Sequence, residues 1–174
     1  AAFGGAAAAA GQVVIAPLFD KAGWPSYQRV VLKGRADLAL LALLDELAHE
    51  GLAGTRRFGL FGYSGGAQFA HRFAMLYPHR IERLIAAVAR GKPLDMGDSV
   101  VAEPGRRLPW GPRLATGLGA FLQLPVTVLI GERDRFVDAS TRSTPALDRQ
   151  QGPHRRARAE RRVRSEERRV EKKC

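Results

Sequence analysis

The sequence predicts an α/β fold, a mostly parallel sheet with helices on both faces. Three observations lead there. Four short apolar runs, "VVIA", "FGLF", "LIAAV" and "VTVLI", have the length and composition of buried strands. Helical periodicity occupies each interval between them. Gly and Pro punctuate the junctions where one kind of segment gives way to the other.

Taken in order, the alanine-rich opening ends at Gly11 and fits the last turns of a helix. Val13-Val14-Ile15-Ala16, closed by Pro17, is the first expected strand. Lys21 to Ser26 is a Gly- and Pro-bearing loop. "RADLALLALLDELAHEGL" is the clearest helix: Leu40, Leu43, Leu44 and Leu47 recur at helical spacing, Asp37 lies in the first turn, and His49 precedes Gly51 at C′. Phe58 to Phe61 is the second strand, Gly65 to Tyr77 a helix stopped by Pro78, and Leu84 to Val88 the third strand. Arg90 to Gln123 is rich in Gly, Pro and Arg, with a short helix near Leu114 to Leu122. Val126 to Ile130 is the fourth strand.

Composition narrows the function. The chain has 174 residues, enough for one domain with a core, and 45% of them are hydrophobic. Its net charge of +11 is uneven: from Arg149 onward there are 11 basic and 4 acidic residues, so the body is near neutral. No aromatic residues interleave with that basic tail, which argues against specific nucleic-acid reading. The lone cysteine, Cys174, permits no intrachain disulfide. No apolar run approaches the roughly 18 residues of a membrane span, no metal-ligand spacing is present, and no secretory signal opens the chain. The expected location is cytoplasmic.

The chemistry is concentrated in Gly62-Tyr63-Ser64-Gly65-Gly66, between a strand and an amphipathic helix. A serine hydroxyl is a poor nucleophile unless it is exposed beside a base and near donors for a developing oxyanion. Glycines at 62 and 66 let a strand turn sharply into a helix without a Cβ clash, leaving Ser64 at the apex. The helix then points its first N–H groups at the same spot, and Gly65 N–H is the candidate oxyanion donor. A tight connection or a simple anion site is the plainer alternative.

With its flanks, "GYSGGAQFAHRFAMLYPHRI" resembles the nucleophile elbow and following helix of the α/β-hydrolase superfamily, in the flavour of bacterial serine esterases of the polyhydroxybutyrate-depolymerase or dienelactone-hydrolase type. The likeness runs from about Val13 to about Arg162 and is strongest at the elbow. It implies a triad in the order nucleophile, acid, histidine. The acid follows a strand in a glycine-x-x-aspartate turn, and Gly131-Glu132-Arg133-Asp134 matches, with Asp134 first and Asp138 and Glu132 as lesser candidates. Of the four histidines, only His154 follows Asp134, and it sits in "RQQGPHRRARAERR", a charged helical start. His49 is at a helix end, His71 seven residues past Ser64, and His79 in a turn.

The resemblance therefore implies a partial α/β-hydrolase domain over residues 1–162. The early strands, the oxyanion loop and the final histidine loop are expected to be missing. A cap-like insertion is expected at about 92–123, where Trp110 either lines an acyl pocket or anchors the core. The final "RSEERRVEKKC" resembles a translated sequencing adapter, so residues 163–174 are expected to be a basic tail never selected for folding. The implied substrate is a small ester-type molecule, cleaved through an acyl-serine intermediate with no metal or organic cofactor. Expressed alone, the chain is expected to be poorly soluble and inactive as an esterase. The competing reading is a non-catalytic protein of the same fold whose basic tail contacts polyanions.

Overall fold

The computed structural model describes residues 3–30, 34–54, 56–88, 111–131, 144, 145, 148, 149, 152–154, 156–158 and 160. The chain divides into two compact units, Ala1–Tyr27 with Val31–Arg56, and Gln28–Val30 with Arg57–Cys174.

The first unit holds α1 (Gly4–Ala9), a loop and α2 (Ala36–His49). Both helices end as their glycines demand. At α1, Gly11 has φ +63°, its N–H reaches Ala8 O at 3.0 Å, and Gln12 N–H reaches Ala7 O at 2.8 Å. At α2, Gly51 has φ +70°, with Gly51 N–H on Ala48 O (3.1 Å) and Leu52 N–H on Leu47 O (2.9 Å). These paired bonds are Schellman motifs, which satisfy carbonyls that have no partner within the helix. Leu40 and Leu44 of α2 are buried, as the periodicity requires. Asp37 is wholly buried in its first turn, gripped by Arg35 Nε (2.9 Å) and Nη2 (2.8 Å). The loop is organised by aromatic contacts: Phe19 stacks on Tyr27 and meets Trp24 edge-on, each at 5.4 Å.

One expected strand is not formed. Val13 to Ala16 takes no regular structure, with Val13 64% and Val14 53% exposed. A β-branched run favours a strand only when neighbouring strands bond its backbone and cover its side chains. Among the described residues, no strand does so here.

The second unit holds β1 (Phe58–Tyr63), α3 (Gly65–Leu76), a 3₁₀ turn (Pro78–Arg80), β2 (Ile81–Val88), α4 (Gly111–Phe121) and β3 (Val126–Ile130). The strands form one parallel sheet in the order β1-β2-β3, with helical crossovers as parallel pairing requires. The register runs Phe61↔Ile85↔Thr127 and Tyr63↔Ala87↔Leu129. β2 starts three residues earlier than its apolar run, at Ile81, and Glu82 and Arg83 are exposed.

Helix α3 covers one face of this sheet. Phe58 faces it, ring to ring with Phe73 at 6.1 Å, and alternation puts Leu60 and Gly62 on the same face. Phe73 is wholly buried at the centre, 5.7 Å from the Phe69 ring and 4.8 Å from that of Tyr77. Met75, Ile81, Leu84 and Phe121 complete the core. The alternate residues Phe61, Tyr63 and Leu129 are each at least half exposed on the other face.

Among the described residues, helix α4 is the one between β2 and β3, and it packs on α3 and the 3₁₀ turn. Gly117 makes that packing possible, because a Cβ there would overlap the Met75 carbonyl oxygen. This is the later part of the stretch expected to form a cap. Residues 92–110, including Trp110, lie outside the described residues.

Further along, Arg158 is buried: its Nε donates to Gly152 O (2.8 Å) and its Nη2 to Asp148 Oδ1 (2.9 Å). Gly152, at φ +111°, closes this clasp, and a Cβ there would lie 2.8 Å from that of Ala157. Residues 163–174 lie outside the described residues.

Candidate active site

Ser64 is the first residue after β1 and the N-cap of α3. Its backbone takes φ 55°, ψ −114°, a conformation that non-glycine residues rarely adopt and that costs on the order of 1–3 kcal/mol. Bonds on both sides hold it there. Ser64 N–H donates to Ala87 O of β2 at 2.9 Å, while Ser64 O accepts Ala67 N–H (3.1 Å) and Gln68 N–H (3.3 Å). The sheet fixes one side of the bend and the first turn of α3 fixes the other.

The side chain is half-buried rather than sealed beneath packed neighbours. Its hydroxyl makes no cap hydrogen bond to α3. The first N–H groups of that helix, beginning with Gly65, therefore carry the positive end of its dipole toward the apex without being taken up by Ser64 Oγ.

The two flanking glycines differ in role. A Cβ on Gly62 would overlap the Gly66 carbonyl oxygen and stand 2.7 Å from Ala67 N, so only glycine lets the helix start this close to the strand. A Cβ on Gly66 would meet nothing within 4 Å. The steric argument for glycine at both positions thus holds at Gly62 and fails at Gly66. The clash is between residue 62 and the backbone of residues 66 and 67.

Gly131, the first residue of the expected acid turn, follows β3 at the same edge of the sheet. Because Tyr63, Ala87 and Leu129 share a row, Ser64 and Gly131 both emerge at the carboxyl ends of their strands, two strand spacings or about 10 Å apart across the sheet. This is the edge at which ligands bind in open α/β sheets. Glu132, Asp134 and Asp138 lie outside the described residues.

Two of the four histidines are exposed, one is buried in the core and one caps a turn. His49 is exposed at the last residue of α2, where a cation is favourable. His71 is 1% exposed in the core of the second unit, edge-on to Phe121 at 5.2 Å. His79 is exposed in the 3₁₀ turn. His154 Nδ1 accepts the Ala157 N–H at 3.2 Å, a capping bond within the clasp around Arg158. None of the three in the second unit hydrogen-bonds Ser64 Oγ. Among the described residues there is no group of three or more His, Cys, Asp or Glu able to hold a metal ion, and no helix long and apolar enough to cross a membrane.

The fold has solved counterparts. Over 98% of its length the chain superposes on LpqC, a poly(3-hydroxybutyrate) depolymerase from Bordetella parapertussis, with a TM-score of 0.69 and 26% identity. The chain has the α/β-hydrolase fold. A second structure, poly(aspartic acid) hydrolase-1 from Sphingomonas sp. KT-1, matches over 82% of the chain with a TM-score of 0.58 and 26% identity. The chain spans 61% of the first structure's length and 58% of the second's. No family model and no curated protein matches the sequence. Within the hydrolase fold, Ser64 occupies the strand-to-helix bend after β1.

Sequence reasoning located that bend because its pattern is local. It missed Gly117 and the Arg158 clasp, whose partners are distant in sequence or set by a turn. The one available signal for Gly117 was a glycine inside an otherwise helical run.

Proposed function

We propose that this chain carries the nucleophile of a serine hydrolase that cleaves an ester or related acyl bond. The supporting observation is the strained, accessible Ser64 at the junction of β1 and α3. A structure whose backbone is held in a costly conformation at one serine, with helix N–H groups aimed at the same place, suits acyl transfer. Both solved neighbours are hydrolytic enzymes by name, one for a polyester and one for a poly(amino acid).

In this reading Ser64 Oγ attacks the carbonyl carbon and surrenders its proton to a histidine base. The carbonyl oxygen becomes an oxyanion accepted by Gly65 N–H and a second backbone N–H. Collapse expels the alcohol, which takes up the proton, and water then hydrolyses the acyl-serine. Asp134 orients the imidazole and stabilises the imidazolium. None of the histidines placed above in the second unit fills the role of base. Turnover of p-nitrophenyl esters by this chain is therefore expected at background.

For the polyanion-binding alternative, Arg158 and Arg156 are tail-side arginines already committed within the described residues. The first is buried in its clasp and the second pairs with Glu160 at 2.7 Å.

The nucleophile itself is testable without turnover. Incubation with a fluorophosphonate at pH 9, followed by peptide mass spectrometry, compares Ser64 with the chain's other serines. Oxyanion donors alone retain a large share of rate enhancement, so Ser64 should react about 100-fold faster than the rest. Uniform labelling across all serines would remove the proposal.

A further inference from the structure

We draw no further inference here: the strongest candidate, the exposed apolar strip of Phe61, Tyr63 and Leu129 on the sheet face away from α3, carries nothing because no described residue shows what covers it.

Discussion

Replacing Gly62 by alanine places a methyl group where the first turn of α3 already sits. The new carbon would overlap the Gly66 carbonyl oxygen and lie 2.5 Å from the Gly66 carbonyl carbon. Ordinary contacts begin at 3.4 Å, so the carbonyl carbon alone requires the helix start to retreat by about 0.9 Å, and the overlapping oxygen requires more. The obstructing atoms are backbone, and no side chain can swing aside. Overpacking of this kind costs on the order of 1–3 kcal/mol, and the rigidity of the bend argues for the upper half of that range. Amide hydrogen exchange in α3 reads the cost directly: about 2–3 kcal/mol appears as exchange roughly 30- to 150-fold faster. Gly66→Ala is the internal control. Its Cβ enters open space, and alanine is favoured over glycine in a helix by about 0.8–1.0 kcal/mol. Exchange in α3 should be unchanged or slower in that variant. Equal protection in the two variants would refute the assignment of the steric requirement to Gly62.

Other perturbations separate the contacts that hold each unit. Gly117→Ala should destabilise the second unit by about 1–3 kcal/mol in urea unfolding, because its methyl overlaps the Met75 carbonyl, whereas Gly59→Ala should be nearly silent on steric grounds. Arg35→Gly relieves a left-handed residue (φ 43°) yet strips the bidentate grip from buried Asp37. Its net effect should be a loss of about 2–4 kcal/mol, and adding Asp37→Asn should restore at least half of it in a double-mutant cycle. Arg158→Met should lower the unfolding free energy in urea modestly, by about 1 kcal/mol, since its partner Asp148 keeps 25% of its side-chain surface in water. A Gly152→Ala variant should cost more than that, combining φ +111° with a Cβ 2.8 Å from Ala157 Cβ.

The sequence made some of this legible and hid the rest for physical reasons. Helix stops at Gly11 and Gly51 could be read because a Schellman motif is written within a few consecutive residues. The bend at Ser64 could be read for the same reason, as a strand, five residues and a helix in succession. Val13 to Ala16 could not be judged, since a strand exists only with the neighbours that bond it, and composition says nothing of them. The start of β2 was obscured by Glu82 and Arg83, charges that interrupt the apolar run but sit in exposed positions of the strand. His71 resembled any helical histidine until its burial against Phe121 made it a core residue. The excess basic charge counted from Arg149 onward gave no sign that one of its members, Arg158, turns inward to Asp148 and Gly152.

The account depends most on Ser64 being held in a conformation that its own residue type resists. Paired variants test that without any reaction. At a helix N-cap glycine already outranks alanine, by about 1 kcal/mol. At φ 55°, ψ −114° the gap should widen, with Ser64→Gly more stable than Ser64→Ala by about 2–4 kcal/mol in urea unfolding. A gap no larger than the ordinary cap preference would mean that the bend stores no strain, and would contradict the account at its base.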